Sequence, residues 1–361
     1  MRGMMLSQVE TYLEEILEAL DFSSLDHFLN QHMRTEMSFE ELVSQIVING
    51  FEAFNKENIT MLVFDSLFYE LSIAKPVFVK MLLFTVLFSV VQKLLATRNK
   101  YISDISFFVI YATVMVLLMQ SFFLVRDIAL EGVESLLMFL NALIPTYAVT
   151  LAFAGNAVSG AVLYEIAFFL VYLVEVLLKN FLSPVIQLFV LVLFLNHLFD
   201  EDTLSKLAEF MEKIVSMILK TAFGAVIGMG IVQSMLTPVK DRLSSNVLLS
   251  GMSAIPGVGT FLGSTGEIIL SCGMLIKNSV GVIGLIVLFV IAVVPVAKIG
   301  CFWGMYQVLG IVLQPVADKR ITECVSAVTR GCSLYLKIIL YSMLLFFILL
   351  SMVSVATSFI F

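Results

Sequence analysis

Charge is scarce in this chain: only 14% of its 361 residues are Asp, Glu, Lys or Arg, against 60% hydrophobic. With a mean hydropathy of +1.02, the composition is that of a polytopic membrane protein. Cysteine is scarce too. Cys272, Cys301, Cys324 and Cys332 form no CxxC pair and the three histidines lie apart from them, which argues against zinc or dithiol redox chemistry and for buried apolar thiols. No P-loop is present, which argues against self-energising with ATP. Gly257-x-Gly259-x-x-x-Gly263 has the wrong spacing for a dinucleotide fingerprint and follows no strand. Serine and histidine form no nucleophile–base pattern. The reading is a non-enzymatic chain with no cofactor. A signal-peptide core is also missing from residues 1–8.

The scarce charge is uneven. Residues 1–75 hold 13 acids against 4 bases, whereas the remainder holds 15 against 17. An acidic head excludes nucleic acid as an obvious partner. This first region reads as amphipathic helices: Leu6, Val9, Leu13, Ile16, Leu17 and Leu20 form one stripe, and Ser38 with Glu41 makes a capping box. Residues 76–135 hold two spans, 77–96 and 105–125. The basic residues Lys93, Arg98 and Lys100 between them place that loop in the cytoplasm, and so place the acidic head outside.

Glycine gathers where the rest of the chain is most lipid-like. Residues 251–284 contain eight glycines and one proline. In hydrocarbon an unpaired backbone group costs several kcal/mol, so broken backbone survives only inside protein or beside water. The expectation is a half-helix, a turn at Ile255-Pro256-Gly257, and a second half-helix from near Gly263, with Glu267 close to its N-terminal end. Gly259 belongs to the same turn. Such a break marks a transport pathway or, equally, glycines that let helix backbones touch. A second broken or re-entrant segment is expected at 136–154, which contains Asn141 and Pro145 and is followed by Gly155.

Further spans are read at 161–178, 183–199, 217–236, 280–297, 298–315 and 334–359, with amphipathic surface segments at 200–216 and 317–331. Gly224 with Gly228, and Gly300 with Gly304, are spaced for close helix contact. Pro145 and Pro256 stand 111 residues apart, as do Pro184 and Pro295. The fold expected is therefore all-α, with about eight spans, two Pro/Gly-broken re-entrant segments, and an inverted internal repeat of halves 136–250 and 251–361. Charged residues in the spans are pathway candidates. Glu165 leads, because Glu175 has Lys179 one turn on as a local partner. In this topology Lys179, Lys240, Arg242, Lys277, Lys319, Arg320 and Arg330 fall in cytoplasmic segments, and Arg126 and Lys298 in outer loops.

The run MLIKNSVGVIGLIVLFVIAVVPVAKIG (274–300), the run LQPVADKRITECVSAV (313–328) and the Ile255-Pro256-x-Val258-Gly259 turn resemble the stage III sporulation protein AE family. The resemblance runs from about residue 136 to the C-terminus. It implies a multi-pass protein of the mother-cell membrane around the forespore in endospore-forming bacteria. There it would work with other products of one sporulation operon, an ATPase-like protein and ring-forming membrane proteins, in a channel or secretion-like complex needed for endospore formation. It carries no catalytic residues to this chain. Members commonly begin with a signal sequence, from which this sequence departs. The competing reading is a self-sufficient secondary transporter for a small solute or ion.

Overall fold

The computed structural model describes residues 11–13, 15–32, 38–49, 75–76, 79–80, 82–87, 90–91, 100–198, 203–253, 259–315 and 317–356. Apolar sequence in an apolar setting must satisfy its own backbone hydrogen bonds, and helices do so. The principal elements are α1 (Ser23–His32), α2 (Phe39–Asn49), α3 (Lys100–Phe153), α4 (Ala157–Val174), a π-helical segment (Glu175–Leu182), α5 (Ser183–Leu198), α6 (Ser205–Ser253), α7 (Gly259–Leu313) and α8 (Lys319–Ala356). Among the described residues, four stretches are long and apolar enough to cross a membrane: Phe107–Phe153, Glu165–Leu198, Leu270–Leu313 and Lys319–Met352.

Helices expected to be separate are fused. The 54 residues of α3 make a rod of about 80 Å, far longer than the ~30 Å of a bilayer core. It absorbs the span 105–125 and the segment 136–154, running unbroken through Pro145. The expected break or re-entrant turn at Pro145 is thus corrected. Pro145 lies exposed on the outside of the rod, where packing does not oppose its ring. The chain reverses instead at Gly155, whose φ is +77°. Gly155 N–H donates to the Ala152 carbonyl at 3.0 Å and Asn156 N–H to the Leu151 carbonyl at 2.8 Å, the paired bonds of a Schellman cap, which glycine favours because it accepts the left-handed conformation.

Three further corrections follow. The spans 280–297 and 298–315 are one helix, α7, with Pro295 inside it. The segment 200–216 continues into its span as α6, and Lys240 and Arg242 lie in that helix rather than in a loop. The segment 317–331, expected on the surface, is the buried first half of α8: Ile321, Cys324, Val325, Ala327 and Val328 are all at most 1% exposed. α8 packs against α3, α5, α6 and α7 and is the central post of the bundle. The Ile255-Pro256-Gly257 turn lies outside the described residues. A new helix, α7, opens at Gly259, four residues before the expected start near Gly263, and Glu267 lies in its third turn.

Pro184, also exposed, is accommodated differently. It follows the π-helical segment, where Ser183 N–H donates to the Leu178 carbonyl. The wider turn relieves the ring's collision with the preceding turn and leaves the absent N–H without consequence.

Candidate functional site

Side-chain contacts fix the helices' directions and relative heights. α7 runs antiparallel to α3: the Tyr306 hydroxyl meets that of Ser121, and Gly284, Gly281 and Gly273 lie against Leu143, Tyr147 and Phe153 in turn. α8 runs parallel to α3, with Cys324 at Tyr111 and Tyr335 at Phe122. α6 runs parallel to α8, pairing Glu212 with Arg330 and Phe223 with Tyr341. α5 is antiparallel to α8, joining Ser183 to Tyr335 and His197 to Glu323 at 2.9 Å.

These contacts divide the bundle into two halves. Gly132, Pro295 and Ile339 meet at one level. Within about one turn of that level stand Lys298 on α7, Lys337 on α8, Lys220 on α6, and Lys179, which reaches Glu134 at 3.1 Å. Beyond it, toward the C-terminal end of α3, residues 135–153, 221–239, 278–297 and 338–356 contain no charged residue. Each of these stretches is about 28 Å long and the four lie in near register. On the other side are the ion pairs Arg126–Asp127, Glu212–Arg330, His197–Glu323 and Lys319–Glu323. An open groove of about 600 Å³ there is lined by Glu209, Glu212, Lys213 and Lys220 of α6.

The seam between α3 and α7 is the tightest part of the charge-free half. A methyl group on Gly273 would lie 2.6 Å from the Phe153 carbonyl oxygen; one on Gly281 would lie 2.9 Å from the Tyr147 hydroxyl, and one on Gly284 2.7 Å from Leu143. The glycines of the central stretch therefore serve close backbone approach here. Lys277 shares their helix face, one turn from Gly273 and one from Gly281, and is 1% exposed. The sequence reading placed Lys277 in a cytoplasmic segment; the structure buries it in the seam. Ionisable residues held inside a membrane bundle are rare and usually functional. The available signal was the Gly-x-x-x-Lys-x-x-x-Gly pattern within an apolar run, which sets lysine and both glycines on one face.

The other candidates are scattered. Glu165 is exposed on α4, away from the seam. Lys179 pairs with Glu134 of α3; the side chain of Glu175, its expected local partner, lies outside the described residues. Gly224, Gly228, Gly300 and Gly304 have open space beside them, so the helix contacts expected of them are not made within the chain. Gly132, Gly273, Gly281, Gly284 and Gly331 make the close approaches instead. Among the described residues no group of three or more His, Cys, Asp or Glu could hold a metal ion.

Buried hydroxyls bolt the bundle together. Tyr111 donates to the Phe194 carbonyl at 2.6 Å and accepts from Cys324 Sγ at 3.0 Å, joining α3, α5 and α8. On the flank, α1 and α2 clasp the charge-free half. Thr146 donates to the Asp21 carbonyl at 2.9 Å, and the Phe28 and Phe139 rings lie 5.4 Å apart. The capping box read at Ser38 and Glu41 is present, both bonds at 3.1 Å, and Asp26 of α1 accepts the Phe39 N–H at 2.5 Å, tying the two helices together. Asp21 receives the Ser23 hydroxyl and N–H, which hold its carboxyl below the usual carboxylate range.

No solved structure matches this chain. A stage III sporulation protein AE from Bacillus subtilis is 24% identical over 313 residues, covering 86% of this chain and 78% of its own. The family model described as stage III sporulation protein AE matches residues 37–357, nearly the whole of the chain, which therefore belongs to the stage III sporulation protein AE family.

Proposed function

We propose that the chain is a non-enzymatic integral membrane component of a channel or secretion-like complex between mother cell and forespore. The supporting observation is the family match over residues 37–357. In this reading other proteins of the same sporulation operon, ATPase-like and ring-forming, supply energy and the ring, and this chain supplies a membrane-embedded helical core in the mother-cell membrane around the forespore. The bilayer lies across the charge-free half: there α3, α6, α7 and α8 all lack charge over about 28 Å, close to a ~30 Å hydrocarbon core, whereas on the other side α6 and α8 carry charge. The four lysines at its edge then snorkel to the headgroups.

The transporter reading drew on two broken segments, and α3 runs unbroken through Pro145, which favours the complex component. Deleting the gene from its host tests the proposal: forespore integrity and late forespore gene expression should be lost. Normal heat-resistant spores would refute it. Lys277→Met tests the seam within the same reading. It keeps the volume of the side chain and removes its charge, so the protein should still reach the membrane folded while spore yield falls. Undiminished yield would make the lysine merely structural.

A further inference from the structure

At the level of the charge-free half the bundle shows two unlike outer surfaces. On α6, α7 and α8 the outward residues are large and apolar: Ile231, Phe289 and Leu344, each between 42% and 48% exposed, whereas α4 presents Phe169 and Tyr172 together with the exposed Glu165. On the α1 flank at the same height the outward residues are Ser23, Ser24, His27, Asn30 and Gln31, all exposed. The height of α1 is set by two contacts, Asp21 at Thr146 and Phe28 at Phe139, which bracket the middle of residues 135–153. Its inner face, Phe22, Leu25, Phe28 and Leu29, is at most 5% exposed, so α1 is seated with its apolar stripe spent on the bundle.

Five polar side chains facing hydrocarbon at mid-bilayer would each lose their hydrogen bonds to water, a cost of roughly 2–7 kcal/mol per group by transfer measurements. Ser23 keeps a partner in Asp21, and for the other four nothing among the described residues offsets that cost. We infer that the α1 flank faces water at bilayer depth, as the wall of an aqueous vestibule open to polar solutes, while α6, α7 and α8 face lipid. The inference rests on the channel reading for the purpose of the vestibule, and on the stacked charge-free stretches for its position. It also gives the N-terminal helices a task inside the membrane layer. α1 and α2 screen the seam that holds Lys277 from water by an apolar underside, and present serine, histidine and amides outward.

Single cysteines decide this in full-length protein reconstituted in vesicles. Cys301→Ala serves as background, since Cys272, Cys324 and Cys332 are buried. Ser24→Cys and His27→Cys are compared with Phe289→Cys and Leu344→Cys, using a membrane-impermeant quaternary-ammonium methanethiosulfonate. Each variant is first checked for an unchanged monodisperse elution profile in detergent. The α1 positions should react at least about tenfold faster than the lipid-facing ones, a difference of ~1.4 kcal/mol in activation free energy. Four unreactive positions would overturn the aqueous flank. Four equally reactive positions would overturn the placement of the bilayer at this half, and faster reaction at Phe289→Cys and Leu344→Cys would overturn both. The vesicles lack every sporulation partner, so labelling is read independently of spore formation. Normal sporulation of a deletion strain alongside selective α1 labelling would remove the channel reading and leave the vestibule.

Discussion

The two halves of the bundle are held by different physics. In the half above the four lysines, backbone meets backbone at Gly273 and side chain meets glycine at Gly281 and Gly284. There van der Waals packing and close approach must supply the binding, since lipid tails compete equally well for apolar surface. In the other half, hydroxyls, thiols and ion pairs cross between helices at Tyr111, Ser121, Tyr306, Glu212 and Arg330. The contrast teaches that the first half should be intolerant of volume and indifferent to salt. The second should be sensitive to lost hydrogen bonds and, at its half-exposed pairs, to ionic strength.

The sharpest way to break that comparison is Gly273→Val. Its branches would enter the Phe153 backbone, which cannot swing aside, so the cost should reach at least about 3 kcal/mol, seen as loss of the monodisperse folded species in detergent. Gly224→Ala, where space is open, should be neutral or stabilising by up to ~1 kcal/mol in the same assay. Equal behaviour of the two would mean the seam is not the close contact it looks to be.

In the other half Tyr111→Phe leaves the buried Phe194 carbonyl without its donor and should cost about 1–3 kcal/mol, read as a lowered thermal midpoint. Removing Arg330 and Glu212 singly and together should return a coupling under about 1 kcal/mol, weakened further by salt, because both side chains are about one-third exposed or more. A double-mutant cycle at low and high salt measures it.

The smallest effect belongs to the clasp. Asp21 is held below its usual pKa by Ser23, so its contribution is complete above the ordinary carboxylate value and is lost as pH falls through the lowered one. Asp21→Asn should erase a slight acid-side decline in thermal midpoint and leave neutral pH unchanged. An identical decline in the variant would assign that acid sensitivity elsewhere.

Sequence by itself determined the class, the family and several local devices. Apolar runs demand helices wherever backbone cannot bond to water. Ser38 and Glu41 cap α2 because four consecutive residues contain the whole device. Tertiary structure alone decided where helices end and what faces what. Pro145 reads as a breaker locally, yet α3 passes through it on an exposed face. The reversal waits for Gly155, where a left-handed residue completes a cap. Spacing marked Gly224, Gly228, Gly300 and Gly304 for contact, but a four-residue interval states only that two glycines share a face. Which face meets a neighbour is set by how the rods pack, and packing chose Gly273, Gly281 and Gly284. Lys277 is the same lesson for charge: in sequence it is one more base beside an apolar run, and only the docking of α3 against that face of α7 encloses it.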